Sequence, residues 1–126
     1  NSTDLNNSIK DKFRWSLELD QRYFMMARCI TMLYYFEPED HTGNWKGFSI
    51  SQIKGMADEY EIHCLSDMSE HDYKNLLDEM VDMGILSRTE GEAYRLRRSS
   101  FIGIIGADMD SLDAEIKENN KEESIL

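Results

Sequence analysis

The sequence predicts one α+β domain, mostly helical, in which a three-helix core is followed by a two-stranded β-hairpin and extended by a helix at each end. Three observations carry this. Apolar residues recur at helical spacing in several separate segments. Between Met83 and Arg98 the spacing changes to alternation around a Glu-Gly-Glu turn. The single proline, Pro38, falls between segments and not inside one.

Residues 1–8 are polar, and disorder is expected there. "SIKDKFRWSLEL" places Ile9, Phe13 and Leu17 on one face of a short helix. Asp20 is a good N-cap for "QRYFMMARCITMLYYF", in which only Arg28 and Thr31 are polar from Tyr23 to Phe36. A helix apolar nearly all round needs cover on more than one side. A central core position is one reading. Self-association through the surplus face, with Met25, Met32, Tyr35 and Phe36 at a partner interface, is the other. Pro38, Gly43, Asn44 and Gly47 make a loop, in which Trp45 marks a contact surface or folds back on the core. "FSIS" alternates as a short strand through Phe48 and Ile50. Ser49 or Ser51 then caps "QIKGMADEY", whose inward residues are Ile53, Met56, Ala57 and Tyr60. Ser69 caps "EHDYKNLLDEMVDMG", with Tyr73, Leu76, Leu77, Met80, Val81 and Met83 at helical spacing and Gly84 as the left-handed residue at its end. In the returning strand Tyr94 and Leu96 alternate with Arg95 and Arg97, so the arginines take the opposite face. A short apolar turn spans Phe101 to Ile105, and Ser111 or Asp110 caps a last helix through about Lys117. The charged residues 119–126 form a tail expected to be disordered. The domain thus spans 9–118, with its core at 20–98.

With 126 residues, 40% hydrophobic and 31% charged, the chain has the composition of a soluble globular domain. No apolar run approaches the roughly 18 residues of a membrane span, so no membrane partner is expected. The first residue is Asn1, which suggests one module of a longer protein. Two cysteines, Cys29 and Cys64, favour buried thiols in a reducing, cytoplasmic setting. Cys29, Cys64, His41, His63 and His71 lack metal-ligand spacing. Ser99 and Ser100 have no glycine-bracketed elbow, and Asp78 and Asp82 lack a flanking histidine or Gly-rich loop, so these acids read as a solvated face. The sequence therefore predicts no enzyme activity, no catalytic residue, no metal and no cofactor.

"FSISQIKGMA" followed by "LLDEMVDMGILSRTEGEAYRLRR" resembles the core of the winged helix-turn-helix superfamily: a small strand entering the second helix, a recognition helix ending in Gly-Ile-Leu, and a hairpin wing closing on "YRL". The tail "YRLRRSSFIGIIGADMDSLDAEI" is similar to the ends of winged-helix modules that close some bacterial P-loop ATPases. No GxxxxGK[ST] motif is present, so an ATPase would lie elsewhere in a longer chain. The resemblance implies a recognition helix for the major groove and a wing for the backbone or minor groove.

Charge sets two readings apart, because affinity for nucleic acid comes mainly from Lys and Arg neutralising phosphates. The chain carries −11 overall. From Glu37 to Gly84 three lysines face twelve acids, whereas from Ile85 to Gly106 four arginines face two glutamates. In the first reading the chain is a DNA-associated module of a transcription regulator or ATPase: Arg88, Arg95, Arg97 and Arg98 touch phosphates or the minor groove, while Ser69, His71, Lys74 and Asn75 reach bases. In the second it is a protein-interaction or homodimer module, and the arginines pair with acids of the chain or of a partner, for instance Arg88 or Glu90 opposite Arg95.

Overall fold

The computed structural model describes residues 2–40 and 42–125, the side chains of 2–4, 6 and 123–125 excepted, so Asn1, His41 and Leu126 lie outside the described residues. Among the described residues there are α-helices α1 (Ser2–Glu18), α2 (Gln21–Phe36), α3 (Ile50–Glu59), α4 (Glu70–Asp82), α5 (Ile102–Ile105) and α6 (Met109–Ile125). Strands β1 (Leu86–Thr89) and β2 (Ala93–Leu96) form one antiparallel hairpin, and short 3₁₀ turns cover His63–Leu65 and Ser99–Phe101. The fold is α+β and mostly helical.

Helix α2 is the spine. It packs against α1, α3, α5, α6 and β2. Its apolar surplus is thereby covered within the chain: Met25 and Met32 are 2% and 1% exposed. This corrects their expected place at a partner interface. The two polar residues of the run are buried as well, and each has partners. Thr31 Oγ1 donates to Ala27 O at 2.8 Å, and Arg28 lies over the Phe24 ring at 4.1 Å with Glu115 of α6 at 3.8 Å. Asp20 caps α2 by accepting from Arg22 N at 2.8 Å, as its position predicts.

Helices α3 and α4 open on the same device. Ser49 accepts from Gln52 N while Gln52 reaches back to Ser49 N, and Ser69 and Asp72 repeat the exchange. Because Ser49 is a cap, Ile50 is the first residue of α3 and the expected strand "FSIS" shrinks to one residue. Phe48 pairs with Tyr94 through N–H···O bonds of 2.7 and 2.8 Å, adding a third backbone to the far edge of β2. Gly47 sits where a Cβ would run into Thr89 Oγ1 and press on Ala93 Cβ, so only glycine lets this segment cross the hairpin so closely. Gly84 ends α4 at φ +81°, the left-handed conformation expected of it.

Both ends of the chain carry more helix than expected. α1 runs back to Ser2 through residues 2–8, because a nucleated helix adds residues cheaply. Its inner face seats Phe13 on Phe101, ring centroids 3.8 Å apart. α6 runs through 119–125, where a free tail was expected, and Asp108, not Ser111 or Asp110, holds its first turn by accepting from Ser111 N at 2.8 Å. Its later turns are tied down by Asn120. That side chain accepts from His63 N at 2.9 Å and donates to Tyr60 O at 3.2 Å and Glu61 O at 2.9 Å, bracketing the turn in which Glu61 takes φ +52°. Asn120→Ala is expected to cost about 1–2 kcal/mol and to raise amide exchange selectively in the last turns of α6; unchanged protection there would contradict the anchor.

Candidate functional site

The hairpin register decides what its arginines can do. Leu86 faces Leu96, Ser87 faces Arg95, Arg88 faces Tyr94 and Thr89 faces Ala93. Residues opposite one another share a face. Arg88 therefore lies on the Tyr94 and Leu96 side, turned toward α4, and Arg95 lies on the other side. The expected pairing of Arg88 or Glu90 opposite Arg95 is corrected accordingly: Ser87 takes that place.

On the inner side a single carboxylate organises the contact between hairpin and helix. Asp78 Oδ1 accepts from Arg88 Nη2 at 2.5 Å and from Tyr94 Oη at 2.6 Å, while Oδ2 accepts from Lys74 Nζ at 2.8 Å. Burial opposes the charge on Asp78, but the bonds from Lys74, Tyr94 and Arg88 outweigh it and hold the carboxyl well below the usual range. The same bonds raise Lys74 and Arg88, and burial first, then Asp78, raises Tyr94. Two cations thus pair with one carboxylate where α4 meets the hairpin, and Glu92 adds its charge near Lys74.

On the outer side Arg95 stacks on Trp45, its guanidinium carbon 4.5 Å from the ring centroid, and its Nη1 donates to Trp45 O at 3.4 Å. Tyr34 meets the same indole edge-on at 6.4 Å. Trp45 is thus half-buried and folded back, and it does not stand out as a contact surface. Tyr35 is also turned inward, donating from its hydroxyl to Gly106 O at 2.6 Å. Of the residues expected at a partner interface, Phe36 alone is well exposed, at 63%.

Arg97 and Arg98 follow β2 at the base of the hairpin. Both are exposed, and neither side chain has a hydrogen bond or ion pair among the described residues. The remaining expected contact residues divide similarly. Ser69 is engaged in its capping box with Asp72. His71 and Asn75 are exposed on the outward face of α4, in its first and second turns. Asp78 and Asp82 share that face. Glu79 turns aside to accept the Tyr23 hydroxyl, pinning α4 to α2; burial and this bond push the Tyr23 hydroxyl up to about 12.

Sequence reasoning missed this use of acids. Tyr23 with Glu79, Tyr60 with Asp113 and Tyr94 with Asp78 are three tyrosine–carboxylate bonds between elements distant in sequence. The signal available was only the excess of acids over cations, which says nothing of which acid meets which tyrosine. Also missed were Trp15 of α1 and Leu19 just after it, which are 61% and 51% exposed.

Among the described residues no three His, Cys, Asp or Glu gather as metal ligands would, and no helix is long and apolar enough to cross a membrane. Cys29 and Cys64 are not joined in a disulfide. Compared with family models, with curated proteins and with solved structures, the chain finds no match.

Proposed function

We propose that this chain is a non-catalytic winged-helix module of a DNA-associated regulator or larger ATPase, and that it contacts nucleic acid through the hairpin as wing and the outward face of α4. The carrying observation is the clamp on Asp78. An acid in the middle of the groove-facing surface would repel phosphates, but Lys74 and Arg88 both pair with it. His71 and Asn75 stand exposed on the same face of α4, and Arg97 and Arg98, at the base of the hairpin, have no carboxylate partner among the described residues. The order α3, turn, α4, hairpin, with Phe48 paired to β2, supports the winged-helix reading. Within that reading Arg88 and Lys74 shape the surface more than they grip a ligand, and Arg97 and Arg98 are the free cations.

Fluorescence anisotropy with a labelled 20-base-pair duplex tests this. Two to four phosphate contacts predict that affinity falls roughly ten- to hundredfold between 50 and 200 mM salt. Absence of binding at 50 mM salt would contradict the reading.

One observation favours a docking module instead. Leu5 and Trp15 of α1 and Leu19 just after it are exposed large apolar side chains, the first 62% exposed. On that reading Trp15→Glu abolishes an association seen by light scattering, and the chain binds no DNA at 50 mM salt.

A further inference from the structure

In a chain with 25 acids and 14 lysines and arginines, a cation without a carboxylate is the exception. Ion pairs occupy Arg14, Arg22, Arg28, Lys46, Lys54, Lys74, Arg88 and Lys117. Arg95 is stacked on Trp45, and Lys121 is engaged as well. The four side chains left without an ion pair or hydrogen bond among the described residues are Lys10, Lys12, Arg97 and Arg98. They are far apart in sequence, yet they meet in one place.

A cavity of about 310 Å³ between α1 and the base of the hairpin is rimmed by Lys12, Arg97 and Arg98. A recess of about 150 Å³ beside it is lined by Ile9, Lys10, Arg98 and Ser100. The two share Ile9 and Arg98, so they adjoin, with Arg98 common to both. The floor of the larger is rigid: Phe13, Ile85 and Phe101 are buried at 3%, 0% and 2% exposure. Arg97 is fixed at the backbone, where its N–H donates to Ile85 O at 3.0 Å. One carboxylate, Asp82, also lines the cavity and forms no ion pair with the three cations there.

We propose that Lys10, Lys12, Arg97 and Arg98 form an anion site that takes a phosphate-bearing group, either backbone phosphates of nucleic acid or a free di- or triphosphate compound. Guanidinium and ammonium groups are the side chains that bind multiply charged oxyanions, the first as a bidentate fork and the second as a point charge. With −11 on the whole chain, long-range steering is unfavourable, and recognition is by local contact. The site deepens the proposed function, whose hairpin it shares, and rests on a separate observation.

The test uses the full chain with sodium pyrophosphate as probe in calorimetry at 50 mM salt. Binding is expected, weakened at least tenfold in Arg97→Gln with Arg98→Gln, severalfold in Lys10→Gln with Lys12→Gln, and unchanged in Lys117→Gln. All these positions are surface cations, and a thermal melt checks that each variant folds. If duplex DNA displaces pyrophosphate and loses affinity in the same variants, the phosphate is the nucleic-acid backbone. If pyrophosphate binds and DNA does not displace it, the ligand is a free phosphate compound. Pyrophosphate that fails to bind the parent chain, or binds both double variants as it binds the parent, overturns the site. Pyrophosphate binding with no DNA binding at all overturns the proposed function and leaves the site, whereas DNA binding by a chain that does not bind pyrophosphate overturns the site and leaves that function.

Discussion

Tyr94→Ala is expected to lower stability by about 3–5 kcal/mol, the range for truncating a large buried aromatic side chain. Tyr94 is fully buried. Its backbone pairs with Phe48 on one side and faces Arg88 on the other, and its hydroxyl donates to Asp78 on α4. One residue therefore joins the loop before α3, both strands and α4, the first through its backbone and the last through its side chain. Tyr94→Phe separates the hydroxyl from the ring. Asp78 keeps Lys74 and Arg88, so this change should cost only about 1 kcal/mol. Urea unfolding of both variants measures the difference. A cost for Tyr94→Ala no greater than that for Tyr94→Phe would contradict a packing role for the ring.

Asp78→Ala is expected to cost about 1–3 kcal/mol, because it leaves the buried Tyr94 hydroxyl without its acceptor. The ion pairs with Lys74 and Arg88 add little, since both partners are nearly half exposed. The same group predicts an acid limb. Its folded carboxyl is held below the usual range, so the folded state takes up this proton less readily than the unfolded chain. The stability it provides is complete above about pH 4, where the unfolded carboxyl is ionised, and drains away as the pH falls through the lower folded value. Asp20 and Asp113 are lowered too and stay in the variant. The informative quantity is the difference between parent and Asp78→Asn. The variant should lose less stability than the parent between pH 5 and pH 2, and parallel curves would contradict the clamp.

Local signals in this chain were legible where one short stretch of sequence determines one element. Asp20 and Ser69 as caps, Gly84 as a left-handed terminus, and the inward faces of α3 and α4 follow from spacing and side-chain chemistry alone, whereas the cap of α3 stays open between Ser49 and Ser51 in the sequence and is Ser49 in the structure. Features set by partners distant in sequence were not. The apolar excess of α2 reads equally as a buried spine or as an interface; what decides is that α1, α5 and α6 fold over it, which burial of Met25 and Met32 makes plain. Arg88 was grouped with Arg95 and Arg97 because alternation within one strand says nothing about register between two. A two-residue difference in pairing sends a guanidinium to a different neighbour, and a one-residue slip sends it to the other face. Asn120 lies in a charged stretch with no apolar period, so its hold on the turn at Glu61 leaves no local trace. Lys10 and Lys12 were passed over because they stand more than eighty positions from Arg97, and the cavity that joins them exists only in three dimensions.

The proposed function places the ligand against the hairpin and the outward face of α4, and amide chemical-shift mapping on ¹⁵N-labelled protein tests that most directly. On addition of a duplex at 50 mM salt, the account predicts shifts confined to the exposed part of α4 around His71 and Asn75, to the hairpin, and to Arg97 and Arg98, all reversed by raising the salt. Shifts centred on Phe36 or on Trp15 and Leu19, with the hairpin silent, would contradict it.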